Sequence, residues 1–399
     1  MPQTKPIVSV ENVVANNFSK VKYISPKLHE TLCKRIEPQK GDILLTRIGA
    51  ISKTKLIDWD VDASIYVSLA LIRLSGDVCK EYVYQYTKSD FFRQEIEKRA
   101  LLNATPMKIN LGEIGKVPVP IPKSKKEQEK IANILSTLDK KIELIDQEII
   151  QTQYLKKGLM QKLFSEGLGF QDEGGNWRPQ TKFRDSVFGS IPAIWETPKL
   201  DECVTKVGSG VTPKGGSAAY LETGVPLIRS QNILFGKFKL GNVAFISDSQ
   251  HKKMKGSQLQ ARDVLLNITG ASIGRCAVLP KDFDEGNVNQ HVCIIRTTKD
   301  IIPEFMGIFL NSYLGQKQIW SLQAGGNREG LNFQQIRSFI VPVLPKNEQQ
   351  AIIDICFTVE AKLDLLEQQK IETQQLKKGL MQKLFTGEWR VPKDDIEAA

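Results

Sequence analysis

Apolar residues recur in steps that alternate near four and three over two long stretches of the chain. Such spacing is typical of the buried seam of a coiled coil, so each stretch is predicted to be one long α-helix. About 40 residues at 1.5 Å per residue would make each helix roughly 60 Å long. The seam positions predicted for the first helix are Ile131, Leu135, Leu138, Ile142, Ile145, Ile149, Leu155, Leu159 and Leu163. Those predicted for the second helix are Ile352, Cys356, Val359, Leu363, Leu366, Leu376, Leu380 and Leu384.

The start of each helix carries a pair of residues that can cap it. Ser124 with Glu127 has the spacing of a capping box, and Asn347 with Gln350 has the same spacing at the second helix. We therefore expect helices to begin at these two places.

Two threonines and two glycines interrupt the apolar pattern at matching places in the two helices. Thr152 and Thr373 either lie in the seam, where they would fix the register, or face solvent. Gly158 and Gly379 each cost about 1 kcal/mol in a helix interior. They indicate either a close backbone approach between the two helices or fraying toward the helix ends.

The chain contains an internal repeat. The ten residues LKKGLMQKLF occur at Leu155–Phe164 and again, 221 residues later, at Leu376–Phe385. Asp42–Leu45 and Asp263–Leu266 match at the same offset. Each copy of the repeat has a globular part followed by a long helix, so the chain is a tandem duplication.

This repeat predicts an α+β protein with two mixed α/β domains in tandem, each followed by a long helix. Residues 1–123 form the first globular domain, 124–167 the first helix, 168–345 a linker and the second globular domain, 346–388 the second helix, and 389–399 a tail.

Short elements are predicted inside the globular parts. Strands are expected at Asp263–Ile268, Cys276–Leu279 and His291–Arg296, where β-type residues lie between turn signals. Short helices are expected at Phe91–Leu101 and Phe305–Leu314. The glycine-rich segment 170–179 is interpreted as the linker into the second globular part.

The charge of the chain favours a polyanionic partner. The net charge is +10 and the sequence pI is about 9.1. Residues 124–166 have a net charge of +1 and residues 346–386 a net charge of zero, so the excess lies in the globular parts. The cysteines are scattered without a C-x-x-C pair, which supports neither a zinc site nor a disulfide framework. The N-terminus does not resemble a signal peptide, and no apolar run reaches the roughly 18 residues of a membrane span, so a cytoplasmic protein is expected.

Motifs along almost the whole chain resemble those of the DNA-specificity subunits of type I restriction–modification enzymes. The second globular part has a first segment like that of a family target-recognition domain and a Gly-Thr-Pro-like loop, followed by later family motifs and the helical region. The segments that carry the resemblance are Phe183–Glu196, Gly210–Gly216, Arg262–Gly274, Asn289–Ile295, Gly325–Ile336, Val341–Ile352 and Lys377–Val391.

The resemblance implies a protein that reads DNA without catalysing a reaction. Two target-recognition domains would each read one half of a bipartite site in double-stranded DNA. The two helices would pack as an antiparallel coiled coil, set the distance between the domains and carry two modification subunits. Those subunits would bind S-adenosylmethionine and methylate adenine by base flipping. Restriction subunits, with ATP and Mg²⁺, would join the complex, and this chain would itself bind no cofactor.

Long polar side chains in turn-rich loops are the candidates for contact with bases and phosphates, although a loop Asn or Gln is also a common turn former. Lys214 and Thr212 add a loop that could hold a phosphate through backbone amides. The candidates in the second domain are Thr212, Lys214, Arg229, Gln231, Asn232, Arg275, Asn289, Gln290, Asn327 and Arg328. Those in the first domain are Arg47, Lys53, Lys55 and Lys108.

The two globular parts differ in length. By the repeat offset Met1 corresponds to about Thr223, so the first half has no counterpart of the first segment or of the Gly-Thr-Pro-like loop. The first recognition domain is therefore expected either to be truncated at its N-terminal side or to be complete in a smaller form. A truncated sheet would expose an unpaired edge, and we expect weak or altered reading of one half-site.

Other functions are weighed against this one. Gly270–Gly274 has the G-x-S-x-G pattern of a hydrolase nucleophile, but the next residues predict a strand where that motif requires a helix. His29 and His251 occupy matching positions and are interpreted as structural rather than metal-binding. No N-P-P-Y or D-P-P-Y element of amino-methyltransferases is present in the sequence. A stand-alone DNA-binding scaffold or regulator without a methyltransferase partner is the alternative.

Overall fold

The computed structural model describes residues 4–101, 103–212, 216, 220–323 and 330–391. The chain divides into two compact units. The first unit comprises Met1–Glu148 and Leu366–Ala399, and the second comprises Ile149–Leu365. The predicted domain boundaries differ from these units, because each unit takes part of both long helices along with one globular part.

Elements are numbered along the chain. The globular part of the first unit contains α1 (Val10–Ala15), α2 (Pro26–Cys33), α3 (Lys80–Thr87), α4 (Asp90–Arg99) and α5 (Leu111–Ile114). Its strands are β1 (Lys5–Val8), β2 (Lys22–Ile24), β3 (Ile43–Thr46), β4 (Thr54–Leu56), β5 (Ser64–Ile65) and β6 (Leu69–Ile72). The first long helix, α6 (Lys125–Ser165), follows.

Two three-stranded sheets organise the first unit. In one, β1 lies between β2 and β5, and in the other β3 lies between β4 and β6. Successive side chains of β3 point to opposite faces of its sheet. Ile43 and Leu45 therefore join the core under α3, α4 and both long helices, whereas Leu44 joins a smaller core with Val8 and Val13.

The second unit contains more strands. Two short hairpins are formed by β7 (Phe170–Gln171) with β8 (Trp177–Arg178) and by β9 (Phe183–Ser186) with β10 (Gly189–Pro192). The remaining strands are β11 (Val204–Ser209), β12 (Val225–Ile228), β13 (Ala244–Ile246), β14 (Val264–Asn267), β15 (Cys276–Val278), β16 (Asn287–Val288) and β17 (Val292–Thr297). The helices are α7 (Asp248–Lys253), α8 (Pro303–Asn311), α9 (Tyr313–Gln323), α10 (Phe333–Arg337) and the second long helix, α11 (Lys346–Phe385).

The main sheet of the second unit has four strands in the order β11-β17-β14-β15. Val264 and Leu266 face the larger core, and Leu265 and Ile294 face a second core on the other side. A smaller sheet has the order β13-β12-β16. It matches the β2-β1-β5 sheet of the first unit, and β14, β15 and β17 match β3, β4 and β6.

The predicted strands are confirmed at β14, β15 and β17, and α4 confirms the predicted helix over 91–101. The other short helix begins earlier and ends earlier than predicted, because α8 stops at Asn311 and α9 starts after Ser312. The segment interpreted as a linker is the β7–β8 hairpin, paired from Phe170 to Arg178. No helix in the described part of the chain is long and apolar enough to cross a membrane.

The long helices are confirmed, but one predicted seam position in each is wrong. Leu155 and Leu376 are 55% and 56% exposed. Thr152 and Thr373 are buried, and Lys377 is buried too, so the seam continues through a threonine and the lysine four residues after it. This preserves the alternating steps of four and three that a coiled coil requires.

Ion pairs between α6 and α11 give the direction of the pairing. In the first unit Lys377 Nζ lies 2.5 Å from Asp139 Oδ1, and Lys370 Nζ lies 2.5 Å from Asp146 Oδ1. The numbering rises along α6 as it falls along α11, so the two helices are antiparallel. In the second unit Lys156 pairs with Glu360.

The two helix glycines have neither of the predicted explanations. A Cβ atom added at Gly158 or Gly379 would meet no heavy atom within 4 Å, so no neighbouring backbone requires the glycine. Both helices also continue past these residues, to Ser165 and Phe385, which excludes early fraying. The two glycines lie exposed on regular helix.

One of the two predicted capping boxes is wrong. At α6 the Ser124 hydroxyl accepts a hydrogen bond from the Glu127 amide at 3.4 Å, which is one of the two hydrogen bonds of the predicted box. At α11 the Asn347 side chain donates instead to Gln171 Oε1 at 3.1 Å. The helix begins one residue earlier, at Lys346, so Asn347 already lies inside the first turn.

Candidate nucleic-acid interface

One edge of the second unit gathers polar side chains from the ends of three strands. Thr212 follows β11, Thr269 follows β14, and Gln290 and His291 precede β17. The Thr212 hydroxyl donates to Gln290 Oε1, and the Gln290 amide donates to His291 Nε2 at 2.9 Å. His291 Nδ1 lies 2.6 Å from the Thr269 hydroxyl. Hydroxyl, amide and imidazole groups thus form one continuous hydrogen-bonded row with both donors and acceptors, as reading of base edges requires.

The loop after β12 lies beside this row. Asn267, at the end of β14, donates to the Ser230 carbonyl at 2.9 Å, and the Asn289 amide donates to the Ile228 carbonyl at 3.1 Å. The loop carries Arg229 and Gln231, so the structure brings these two predicted residues to the same edge as Thr212 and Gln290.

Arg229 and Gln231 are fixed by the same acceptor. Arg229 Nη2 and Gln231 Nε2 each donate to the Asn242 carbonyl at 3.0 Å. The Arg229 guanidinium also lies 5.4 Å from the centroid of the Tyr220 ring. A guanidinium has five N–H donors, so anchoring through one leaves others for phosphate or a base.

Two predicted contact residues build the loops instead. Asn232 is fully buried, and its side chain donates to the carbonyls of Lys239 and Gly241. Asn289 is buried as well, and its side-chain oxygen accepts from the His291 amide at 3.1 Å. Their amide groups are enclosed by the chain, and this burial does not favour the predicted base contact for either residue.

The remaining predicted residues of the second unit lie away from this edge or outside the described residues. Arg275 is half-buried at the turn that enters β15, where its amide donates to the Ser272 carbonyl. Because strand β15 follows Gly270–Gly274, the helix that a hydrolase nucleophile motif requires is not there. Lys214, Asn327 and Arg328 lie outside the described residues.

In the first unit the structure groups two of the four predicted cations. Arg47 follows β3 and donates to the carbonyls of Val67, at 2.8 Å, and Ile109, at 3.3 Å. Lys108 is exposed next to Ile109. These two cations lie at the end of β3, which matches the end of β14, where Thr269 lies in the second unit.

The other two cations lie along β4 and the turn before it. Lys53 is exposed in that turn. Lys55 Nζ lies 5.9 Å from the Phe18 ring centroid and 5.8 Å from that of Trp59, as in a cation–π contact. This contact holds Lys55 over the smaller core rather than beside Arg47.

Several structural groups repeat between the units without having been predicted. Asp263 is buried, and its carboxylate accepts two hydrogen bonds from the Arg296 guanidinium, each at 2.7 Å. Asp42 accepts two hydrogen bonds from Arg73 in the same way. The hydrogen bond to Asp42 raises the pKa of Arg73. Burial, together with nearby Arg296, lowers the pKa of Lys206.

Thr269 and His291, which belong to the hydrogen-bonded row with Thr212 and Gln290, were not among the predicted contact residues. His291 lies inside the segment Asn289–Ile295 that was singled out in the sequence, and its position directly before a buried strand was a signal for it.

His29 and His251 each bond to a residue of the short strand beside them. His29 Nδ1 lies 3.0 Å from Ser64 Oγ, and His251 Nδ1 lies 2.6 Å from Asn287 Oδ1. Within the described residues no group of three or more His, Cys, Asp and Glu side chains could hold a metal ion.

The chain is similar to known proteins both in sequence and in fold. A family model described as the type I restriction modification DNA specificity domain matches residues 2–153 and 192–375. The type I restriction enzyme EcoBI specificity subunit of Escherichia coli is 25% identical over 365 residues, which cover 85% of this chain and 75% of that protein. The MjaVIII specificity subunit of Methanocaldococcus jannaschii is 28% identical over 280 residues, 69% of this chain and 63% of that one. The crystal structure of a type I restriction-modification system S subunit from M. genitalium has a similar fold, with a TM-score of 0.58 and 18% sequence identity. The superposed region covers 96% of this chain and 90% of that subunit.

Proposed function

The chain belongs to the family of type I restriction modification DNA specificity domains, and from this premise we propose that it reads a bipartite site in double-stranded DNA. Each unit would read one half of the site. The helices α6 and α11 would set the spacing between the halves. No catalytic step is assigned to this chain.

The polar edge of the second unit, where six polar residues lie together, is the observation that carries the proposal. Its members are Thr212, Arg229, Gln231, Thr269, Gln290 and His291. It combines an anchored guanidinium with hydroxyl and amide groups, which serve phosphate contact and base contact respectively. Arg47 and Lys108 would make the corresponding contacts in the first unit.

Substitution at the two ends of β17 tests the assignment. Gln290→Ala removes an amide from the polar edge. At each base pair that this amide reads, the binding free energy that separates the preferred base from the others should fall by about 1–3 kcal/mol. Lys299→Ala is the control, since Lys299 is exposed just beyond the opposite end of the same strand. Selection of binding sites from a randomised DNA library measures both. Unchanged preferences in the Gln290→Ala protein would contradict the reading edge.

A second part of the proposal concerns partners. We propose that the chain carries two copies of an adenine methyltransferase subunit, which would bind S-adenosylmethionine, and that restriction subunits with ATP and Mg²⁺ join them. The support is the ten-residue identity between Leu155–Phe164 and Leu376–Phe385. Leu155 and Leu376 are exposed to the same extent, and Gly158 and Gly379 touch nothing that requires a glycine. Identical exposed residues in two copies suit two identical partners.

The duplication allows the two binding surfaces to be removed one at a time. Leu155→Glu and Leu376→Glu should each reduce the bound methyltransferase from two copies to one, and the double variant should bind none. Native mass spectrometry of the complex gives the stoichiometry.

Tyr154→Glu is the matched control, because Tyr154 is 72% exposed but corresponds to Gln375 in the other copy. Two bound copies in the double variant would reject this surface. A wild-type chain that binds DNA but no methyltransferase would favour a stand-alone scaffold or regulator.

A further inference from the structure

The matching sheets of the two units differ by one strand. In the second unit β17 lies between β11 and β14. In the first unit β6, which matches β17, pairs only with β3 among the described residues. The outer edge of β6 therefore corresponds to the edge that β11 occupies, where Val207 lies opposite Ile295 and Ser209 opposite Cys293.

The open edge also leaves apolar side chains uncovered. Ile294 and Ile295 on β17 are fully buried, whereas their counterparts Leu71 and Ile72 are only half-buried. The sequence of β6 is Leu-Ala-Leu-Ile, with no lysine or proline of the kind that protects edge strands from pairing. Backbone donors and acceptors and apolar surface thus coincide at this edge.

A second uncovered strip of the first unit is formed by Val117 and Val119, just before the first long helix. In the second unit the chain before β11 covers the corresponding residues. There the Leu200 amide donates to the Phe339 carbonyl at 2.6 Å, and the Val341 amide donates to the Pro198 carbonyl at 3.1 Å. Phe339 and Val341 are buried there. Their counterparts Val117 and Val119 are half-buried.

We propose that the first unit binds a segment of another polypeptide chain that has the character of residues 198–209, with its last residues paired antiparallel to β6. Such a segment supplies an aliphatic anchor before the strand, as Leu200 does, and an alternating strand, as β11 does. It needs no counterpart of Trp195, because Glu127, which matches the acid bonded to Trp195, is already bonded to Arg390. The second unit shows this arrangement built from the same chain. The segment fills both the β6 edge and the strip at Val117 and Val119.

Pairing between the β6 edges of two copies of this chain is the competing occupant. A four-residue strand spans only about 13 Å, so such a pair would cover Leu71 and Ile72 but not Val117 and Val119. The longer segment is favoured because it covers both.

A peptide with the sequence of residues 183–212 tests the proposal on the full chain, without DNA, so that the result does not depend on the proposed DNA reading. One peptide should bind per chain and slow hydrogen exchange of the outward-facing amides of β6 by about tenfold or more, while the amides of β17 stay unchanged. A photo-crosslinker at position 207 of the peptide should label the β6 segment, because Ile72 takes the place of Ile295.

Changes in the peptide, rather than in the protein, provide the controls and avoid unfolding the chain. A Val207→Pro peptide cannot extend the strand and should bind at least about tenfold more weakly. A scrambled peptide of the same composition should not bind. The proposal is overturned if the two variants bind as well as the native peptide, if the crosslink falls outside β6, or if β6 is already protected in a dimer of the free chain.

Discussion

In the second unit Trp195 is buried against Glu348, whereas in the first unit the matching acid, Glu127, is reached by Arg390. Trp195 Nε1 donates to Glu348 Oε2 at 3.0 Å, and the Leu168 amide donates to Oε1 at 2.8 Å. The Arg390 guanidinium donates two hydrogen bonds to the Glu127 carboxylate, at 2.7 and 2.8 Å. The same buried carboxylate is therefore held by neutral donors in one unit and by a cation in the other. Its position follows from the repeat, but its partner depends on which chain segment covers it.

Removing the tryptophan should give the largest difference between the units. Trp195→Ala leaves a cavity in the larger core and removes a hydrogen-bond donor from buried Glu348, so we expect the second unit to lose about 3–5 kcal/mol of unfolding free energy. Hydrogen exchange of β14 amides reports the second unit, and exchange of β3 amides reports the first.

Trp389→Ala in the first unit is the matched control, since Trp389 is 49% exposed. It should change the exchange of β3 by no more than about 0.5 kcal/mol. Equal effects of the two substitutions would show that Trp195 does not act as an anchor of the second unit.

The helix seam offers a smaller contrast. Lys377 in the first unit is buried and bonded to Asp139, which also accepts from Lys88 at 2.9 Å. The corresponding pair of the second unit, Lys156 with Glu360, is about one-third exposed on each side. Solvent screens the second pair, while loss of the first leaves a buried ammonium without its carboxylate.

We therefore expect Asp139→Asn to cost about 2 kcal/mol and Glu360→Gln less than about 1 kcal/mol. Denaturant midpoints measured through β3 and β14 exchange compare the two. A larger loss for Glu360→Gln would reverse the ranking and show that burial of the lysine does not set the strength of the pair.

The seam also shows how far the sequence could predict the fold. The long helices, the duplication and the strands β14, β15 and β17 follow from apolar spacing and turn residues. That spacing led to Leu155, because it is apolar, whereas the regular steps lead to Lys156. A buried lysine is stable only with an acidic partner on the other helix, and one sequence does not show which residues face each other.

The polar edge was predictable only in part. Thr212, Arg229, Gln231 and Gln290 were predicted as contact residues because polar loop residues are the usual readers of DNA, and the structure places all four at one edge. Asn232 and Asn289 have the same residue type and the same loop setting, but they satisfy the backbone of their own loops. Residue type alone does not separate an amide that supports a turn from one that faces a ligand, since burial decides between them.

The smallest expected contrast is in pH dependence, because the two units hold carboxylates whose pKa values move in opposite directions. Burial raises the pKa of Glu348 above its ordinary value of 4.5 despite its hydrogen bonds. For Asp139 burial acts in the same direction, but Lys88 and Lys377 outweigh it and lower the pKa below 3.8. Because the pKa of Glu348 is raised in the folded protein, its contribution to stability is fully present below pH 4.5 and is lost as the pH rises through the pKa of the folded state. Because the pKa of Asp139 is lowered, its contribution to stability is present above pH 3.8 and is lost as the pH falls through the pKa of the folded state.

Acidification from neutral pH to about 4.5 should therefore strengthen the contribution of Glu348 to the second unit and leave that of Asp139 to the first unit intact. The measurement is the difference in unfolding free energy between wild type and Glu348→Gln across this range, followed by β14 exchange, with Asp139→Asn followed by β3 exchange as the comparison. The wild-type advantage over Glu348→Gln should grow as pH falls, because the glutamine cannot take up a proton. If that advantage instead shrinks on acidification, Glu348 is held in its charged form, and the burial of the carboxylate among neutral donors does not control its titration.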